Sequence, residues 1–131
     1  RFIQVTGVQT CALPIYQLEE NNPGCFDDPT KTFADLYMKS GLYITEIVKR
    51  LYKSDEMKKA YPDDNERIRH ILRNQVYGMA PTRIIYLIAT NYILGFDEKL
   101  KDEVKNFVQC DAAEASKNAE LDYMVNDYFG M

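Results

Sequence analysis

The sequence predicts an α/β protein built on a parallel sheet with helices on its faces, and three observations carry that expectation. Short β-compatible runs recur at residues 31–37, 75–79 and 106–110, each ended by a turn signal. Longer stretches between them place apolar residues at helical spacing. The segments alternate as strand, helix, helix, strand, helix, strand, helix, an order that right-handed crossovers resolve into parallel strands of the doubly wound class.

The first strand, around Thr32-Phe33-Ala34-Asp35-Leu36, is short enough to be buried on both faces. After Lys39-Ser40-Gly41 turns the chain, Leu42, Ile44, Ile47, Val48 and Leu51 repeat at helical spacing, with Glu46, Lys49, Arg50 and Lys53 opposite. Pro62-Asp63-Asp64 stops that region and supplies caps for a helix over residues 65–73. The second strand is Gln-Val-Tyr-Gly-Met, residues 75–79. Ala80-Pro81-Thr82 then opens a helix with proline at or near its first position, and Gly95 ends it. Its apolar body, including Ile84, Leu87, Ile88 and Tyr92, reads as a helix clamped in the core between the sheet and another helix. Residues 97–105 read as a charged helix or turn, residues 106–110 as the third strand, and residues 120–128 as a final helix with Leu121, Met124 and Val125 inward.

Composition sets limits on function. A 131-residue chain with 46% hydrophobic residues buries one core. No apolar run reaches the ~18–20 residues of a membrane-spanning helix. The charge of −4, from 16 basic and 20 acidic residues, argues against this chain alone wrapping a phosphate backbone. Cys11, Cys25 and Cys110 lie far apart with no companion histidines, so neither a zinc site nor a disulfide framework is expected, and a reducing cytoplasm is the default compartment. His70 reads as a structural or solvated residue. Of the ten tyrosines, Tyr43, Tyr52 and Tyr86 fall in expected helices, where half-buried packing is the common fate.

Two further segments stand apart. Residues 1–15, RFIQVTGVQTCALPI, resemble the peptide produced when sequencing-adapter DNA is translated, and they read as a foreign tail; an edge strand over residues 2–8 is the alternative. Residues 16–30, rich in Glu, Asn, Asp, Pro and Gly, read as a surface connection that precedes the ordered domain, residues 31–131.

In an open parallel sheet, ligands lie beyond the carboxyl ends of the strands. The first such end reads Asp35-Leu36-Tyr37-Met38-Lys39-Ser40-Gly41: an acid, a tight turn, and a glycine admitting close backbone approach at a helix start. Neither the dinucleotide-binding nor the phosphate-loop glycine pattern is present.

From residue 30 onward the chain resembles the gamma-type DNA N6-adenine methyltransferases of restriction-modification systems, whose first motif is Asp-Pro-x-x-Gly-Ser-Gly before a helix. Asp35, Ser40 and Gly41 match it, while Leu36 replaces the proline and Lys39 the first glycine. The resemblance implies a Rossmann-like fold of the S-adenosylmethionine-dependent type, with Asp35, Leu36, Tyr37, Lys39, Ser40 and Gly41 receiving the methionine part of that cofactor; Asp35 as a simple cap of the following turn is the alternative. At the second strand end, Met79 and Ala80 stand where the family has a ribose-binding acid, so the ribose contact is lost, transferred to Thr82, or supplied by a residue outside this motif; Met79 as plain core is the alternative. At the third, Asp111 matches the aspartate that accepts from the adenine amino group, with a simple helix cap as the alternative reading. The family's Asn-Pro-Pro-Tyr tetrapeptide, which holds the flipped base, does not occur in these residues. The resemblance thus implies a cofactor-binding portion, inactive alone, of a protein whose partners are DNA and a restriction or specificity domain or subunit. An RNA or protein methyltransferase fragment and a non-catalytic interaction domain are the competing readings, with a dinucleotide oxidoreductase behind them.

Overall fold

A computed structural model describes residues 2–5, 15–95 and 97–131. Among them four strands, β1 (Ile3–Gln4), β2 (Phe33–Asp35), β3 (Val76–Ala80) and β4 (Phe107–Gln109), form one all-parallel sheet in the order β1-β2-β3-β4. The protein is therefore α/β with a parallel sheet flanked by helices, consistent with a Rossmann-like fold. Phe33 pairs with Val76, Asp35 with Gly78, and Gly78 with Phe107.

Because side chains alternate across a strand, this register sorts the sheet into two faces. Phe33, Val76, Ala80 and Phe107 join the larger core; Ala34, Met79 and, partly buried, Tyr77 and Val108 join the smaller one. The larger core is completed by α2 (Leu42–Lys53), α4 (Asp64–Asn74) and α5 (Arg83–Leu94), through Ile44, Ile47, Leu51, Ile71, Leu72, Ala89 and Leu94. The opposite face is covered by α7 (Ala112–Lys117) and α8 (Leu121–Phe129), where Val125 is buried and Phe129 meets Tyr77 at 5.2 Å between ring centroids.

Helices on both faces fit the expected class, but the winding differs in one respect. The strand order never reverses, so the described strands contain no switch point of the kind that opens a crevice in doubly wound sheets. Successive crossovers that step in one direction with one hand bring their helices to the same face, which is why α2, α4 and α5 share a core.

The amino-terminal part contributes more than a connection. β1 belongs to the segment that reads as foreign and lies where the alternative edge strand falls; Ile3 N–H donates to Thr32 O at 2.8 Å and Val5 N–H to Ala34 O at 3.0 Å. Cys11 and the rest of residues 6–14 lie outside the described residues. Residues 16–30, expected on the surface, hold most of α1 (Ile15–Asn21) and a 3-10 turn (Cys25–Asp27) that bury Leu18, Cys25 and Phe26. Polar spacing residues hid three core side chains; Phe26 stacks on Phe33 with centroids 5.5 Å apart.

Two other expectations change. Pro81 lies outside α5, whose cap is Thr82, its hydroxyl accepting from Ile85 N–H at 3.2 Å. More consequentially, α5 is not clamped on most sides: Ile84 is 71% exposed, Ile88 53%, Tyr92 51% and Leu87 42%. Only the side holding Ala89, Thr90 and Leu94 is buried, since the helix lies on one sheet face beside α2 with no further layer outside it among the described residues.

Helix α3 (Asp55–Ala60) and α6 (Glu98–Glu103) complete the set. Ser54 joins α2 to α3, its hydroxyl accepting from Met57 N–H at 3.3 Å and donating to Asp27 Oδ1 at 2.6 Å. The junction is locked by Arg67, 2% exposed on α4. Its guanidinium donates to the carbonyls of Tyr52 (3.0 Å) and Tyr61 (2.9 Å), pairs with Asp64 at 2.5 Å, and lies 4.4 Å from the Tyr52 ring centroid. Removing it orphans two carbonyls at the ends of α2 and α3. Arg67→Ala is expected to cost on the order of 2–4 kcal/mol, read as a lower midpoint in urea unfolding.

Candidate functional site at the carboxyl edge of the sheet

Parallel strands share a direction, so the carboxyl ends of β2, β3 and β4 open onto one edge. With neighbouring strands about 4.8 Å apart, the ends of β2 and β4 lie within roughly 10 Å laterally. Asp35, Met79, Ala80 and the approach to Asp111 are brought to that edge together.

Asp35 is the last residue of β2 and 4% exposed. It pairs with Gly78, two residues before β3 ends, so its carboxylate is set back inside the edge. Asp35 Oδ1 accepts from Tyr37 N–H at 3.0 Å, closing a local turn through Leu36, which agrees with the alternative of a turn cap. The chain then rejoins the sheet, with Met38 N–H donating to Met79 O at 2.9 Å. The Met38 side chain fills the space a side chain on Gly78 would need: a Cβ there would lie 2.5 Å from Met38 Sδ. Gly78 thus seats the loop on the sheet.

Lys39 and Ser40 are exposed at the loop's tip, and Ser40 Oγ accepts from Leu42 N–H at 3.3 Å in the first turn of α2. Gly41 is left-handed, with φ of 82°, and its closest approach is to α5: a Cβ would stand 2.9 Å from Ala89 O and 3.1 Å from an Ile93 side-chain carbon. The close approach expected from this glycine is real, and it serves the contact between two helices.

The other two strand ends are partly committed. Met79 and Ala80 are buried, Met79 in the core beneath α8, and Leu36 after β2 is buried as well. Thr82 Oγ1 is occupied by the cap of α5. Asp111 is exposed and caps α7, accepting from Glu114 N–H at 3.1 Å, which agrees with the cap alternative. Next to it, the Cys110 thiol is pushed up by burial and by the charge of Asp111.

Tyr43 is the residue that sequence reasoning missed. It sits in the first turn of α2, half-buried as expected, yet its hydroxyl oxygen is buried without a hydrogen-bond partner among the described residues. Burial, helped by the nearby negative charge of Asp35, pushes its phenol from 10.0 up to about 12. A carboxylate whose charge reaches a phenol that has no hydrogen-bond partner among the described residues suits a ligand carrying a cation or hydrogen-bonding groups. Asp35 ends a strand and Tyr43 opens a helix, so neither element's own periodicity pairs them, and the turn through Gly41 brings them near each other.

His70 lies away from this edge. Its Nε2–H donates to Pro29 O at 2.9 Å, Asn74 Nδ2 approaches Nδ1 at 3.3 Å, and Tyr61 stacks on the ring at 4.2 Å, a structural placement. Among the described residues no three His, Cys, Asp or Glu side chains cluster to hold a metal ion, and no helix is long and apolar enough to cross a membrane.

Fold and edge define an α/β parallel-sheet protein with a set-back carboxylate at one strand end. Compared with protein-family models, curated proteins and solved structures, the chain matches none.

Two outcomes test this geometry. Tyr43 favours its protonated form when folded, so its contribution to stability is complete below pH 10, the unfolded value, and is lost as pH rises toward about 12. Titrating tyrosinate absorbance should show a late-ionising component that Tyr43→Phe removes. Gly41→Ala combines a left-handed backbone with contact against α5, and it should cost about 2–4 kcal/mol in denaturant unfolding.

Proposed function

We propose that this chain is the S-adenosylmethionine-binding portion of an adenine-N6 DNA methyltransferase, with Asp35 at the centre of the cofactor site. The supporting observation is the set-back Asp35 carboxylate, whose charge reaches the Tyr43 phenol, a hydroxyl without a hydrogen-bond partner among the described residues, at the carboxyl edge of the sheet. When bound, the cofactor supplies a methyl group made electrophilic by its sulfonium. The protein's own residues have the simpler task of binding and orienting it.

In this reading Asp35 meets the cofactor's cationic end, the loop through Lys39, Ser40 and Gly41 flanks the methionine portion, and Tyr43 supplies a hydroxyl whose buried oxygen gains a partner. Met79 and Ala80 shape the floor through packing. Asp111 reaches the adenine amino group only if it shares its carboxylate with the cap of α7, since Glu114 N–H already engages it. The fit is therefore firmest at the Asp35 end and weakest at the ribose, where no acid follows β3. A non-catalytic interaction domain is the second reading, favoured by Gly41 serving helix packing and by the exposed apolar side of α5.

Calorimetric titration with S-adenosylmethionine separates the two. Binding is expected, weakened at least about tenfold by Asp35→Asn and more mildly by Tyr43→Phe, with no methyl transfer to duplex DNA in the absence of a base-holding tetrapeptide. Heat indistinguishable from dilution would contradict the proposal.

A further inference from the structure

Helix α5 holds four of the exposed large apolar side chains of the described residues. Ile84, Leu87, Ile88 and Tyr92 fall at i, i+3, i+4 and i+8 on one side, each between 42% and 71% exposed. Together they present on the order of 400 Å² of apolar surface, the size at which a patch on a monomer marks an interaction site. This side is nearly free of charge: Arg83 is the one ionisable side chain that α5 contributes apart from tyrosines.

The ends of the stripe are complementary to each other. Arg83 is exposed at the amino-terminal end. At the other end α6 folds back, because Lys101 Nζ bonds Asn91 Oδ1, and the same ammonium pairs with Glu98 at 3.4 Å, holding that carboxylate, on a side chain 84% exposed, near Asn91. A patch with a cation at one end, apolar side chains along it, and at the other end an exposed carboxylate that Lys101 shares and a second cation can still reach is self-complementary under an antiparallel two-fold.

We infer that a second copy of this chain docks on α5, the two helices packing antiparallel with Ile84, Leu87, Ile88 and Tyr92 in the seam and Arg83 of each copy facing Glu98 of the other. Antiparallel packing also sets each Arg83 near the carbonyl end of the opposing helix, where a cation is favoured. Two such patches bury about 800 Å² of apolar side chain, and the polar rim carries the total past the roughly 1,000 Å² that a specific interface needs. The dimer is therefore weak and reversible. This inference does not depend on the proposed cofactor site.

Sedimentation equilibrium of the intact chain over a concentration series tests it. The mean mass is expected to rise from 15.2 kDa toward twice that value and to stop there. Ile88→Glu should raise the dimer Kd at least about tenfold, Arg83→Glu should weaken association, and adding Glu98→Arg to Arg83→Glu should restore it. All three positions are on the surface, and circular dichroism should be unchanged; should Ile88→Glu lose helix, the charge exchange alone decides. A monomer at every concentration overturns the inference, as does association that continues past two copies, a dimer indifferent to Ile88→Glu, or an exchange that restores nothing.

Discussion

The parallel pairing of β2, β3 and β4 is the constraint on which the rest of the structure depends. It fixes which side chains face the large core and which face α8, and it delivers three strand ends to one edge. β3 sits at the centre of this arrangement. Its Gly78 accepts the Met38 side chain on one side of the sheet while pairing with both Asp35 and Phe107, so the loop after β2 is seated by the strand beside it. Without that seat, the turn closed by Asp35 and the left-handed entry into α2 at Gly41 would lose their common anchor.

The three central strands and most of the helices are legible because their signals are local. Ile44, Ile47, Val48 and Leu51 write a helical face directly into the sequence, and Asp63 announces a cap that its carboxylate does form, accepting from Asn65 N–H at 2.7 Å. What stays hidden is decided by tertiary contact. Leu18, Cys25 and Phe26 are isolated among polar residues, so no periodicity marks them, yet they fill the core beside β2. The α3 helix has a readable start at Ser54-Asp55-Glu56, masked because α2 ends at the residue before it.

The candidate site divides along the same line. Asp35 is visible as an acid after a β run, and the sheet does place it at a strand end. The environment of its carboxylate is not visible, because Tyr43 comes near only through the turn at Gly41. Likewise, the apolar content of α5 shows that the helix packs, but sequence cannot say how many layers will cover it. Burial on most sides of α5 is the expectation, and one side is buried. That difference turns Ile84 and Ile88 from expected core residues into surface.

Nuclear Overhauser contacts across the sheet test the central claim most directly. The parallel register requires backbone contacts joining Ala34 to Tyr77 and Met79 to Val108 in the same direction along the strands. An antiparallel pattern between β3 and either neighbour, or a register shifted by one residue, would exchange the faces and move the strand ends apart, and the edge built around Asp35 would no longer exist.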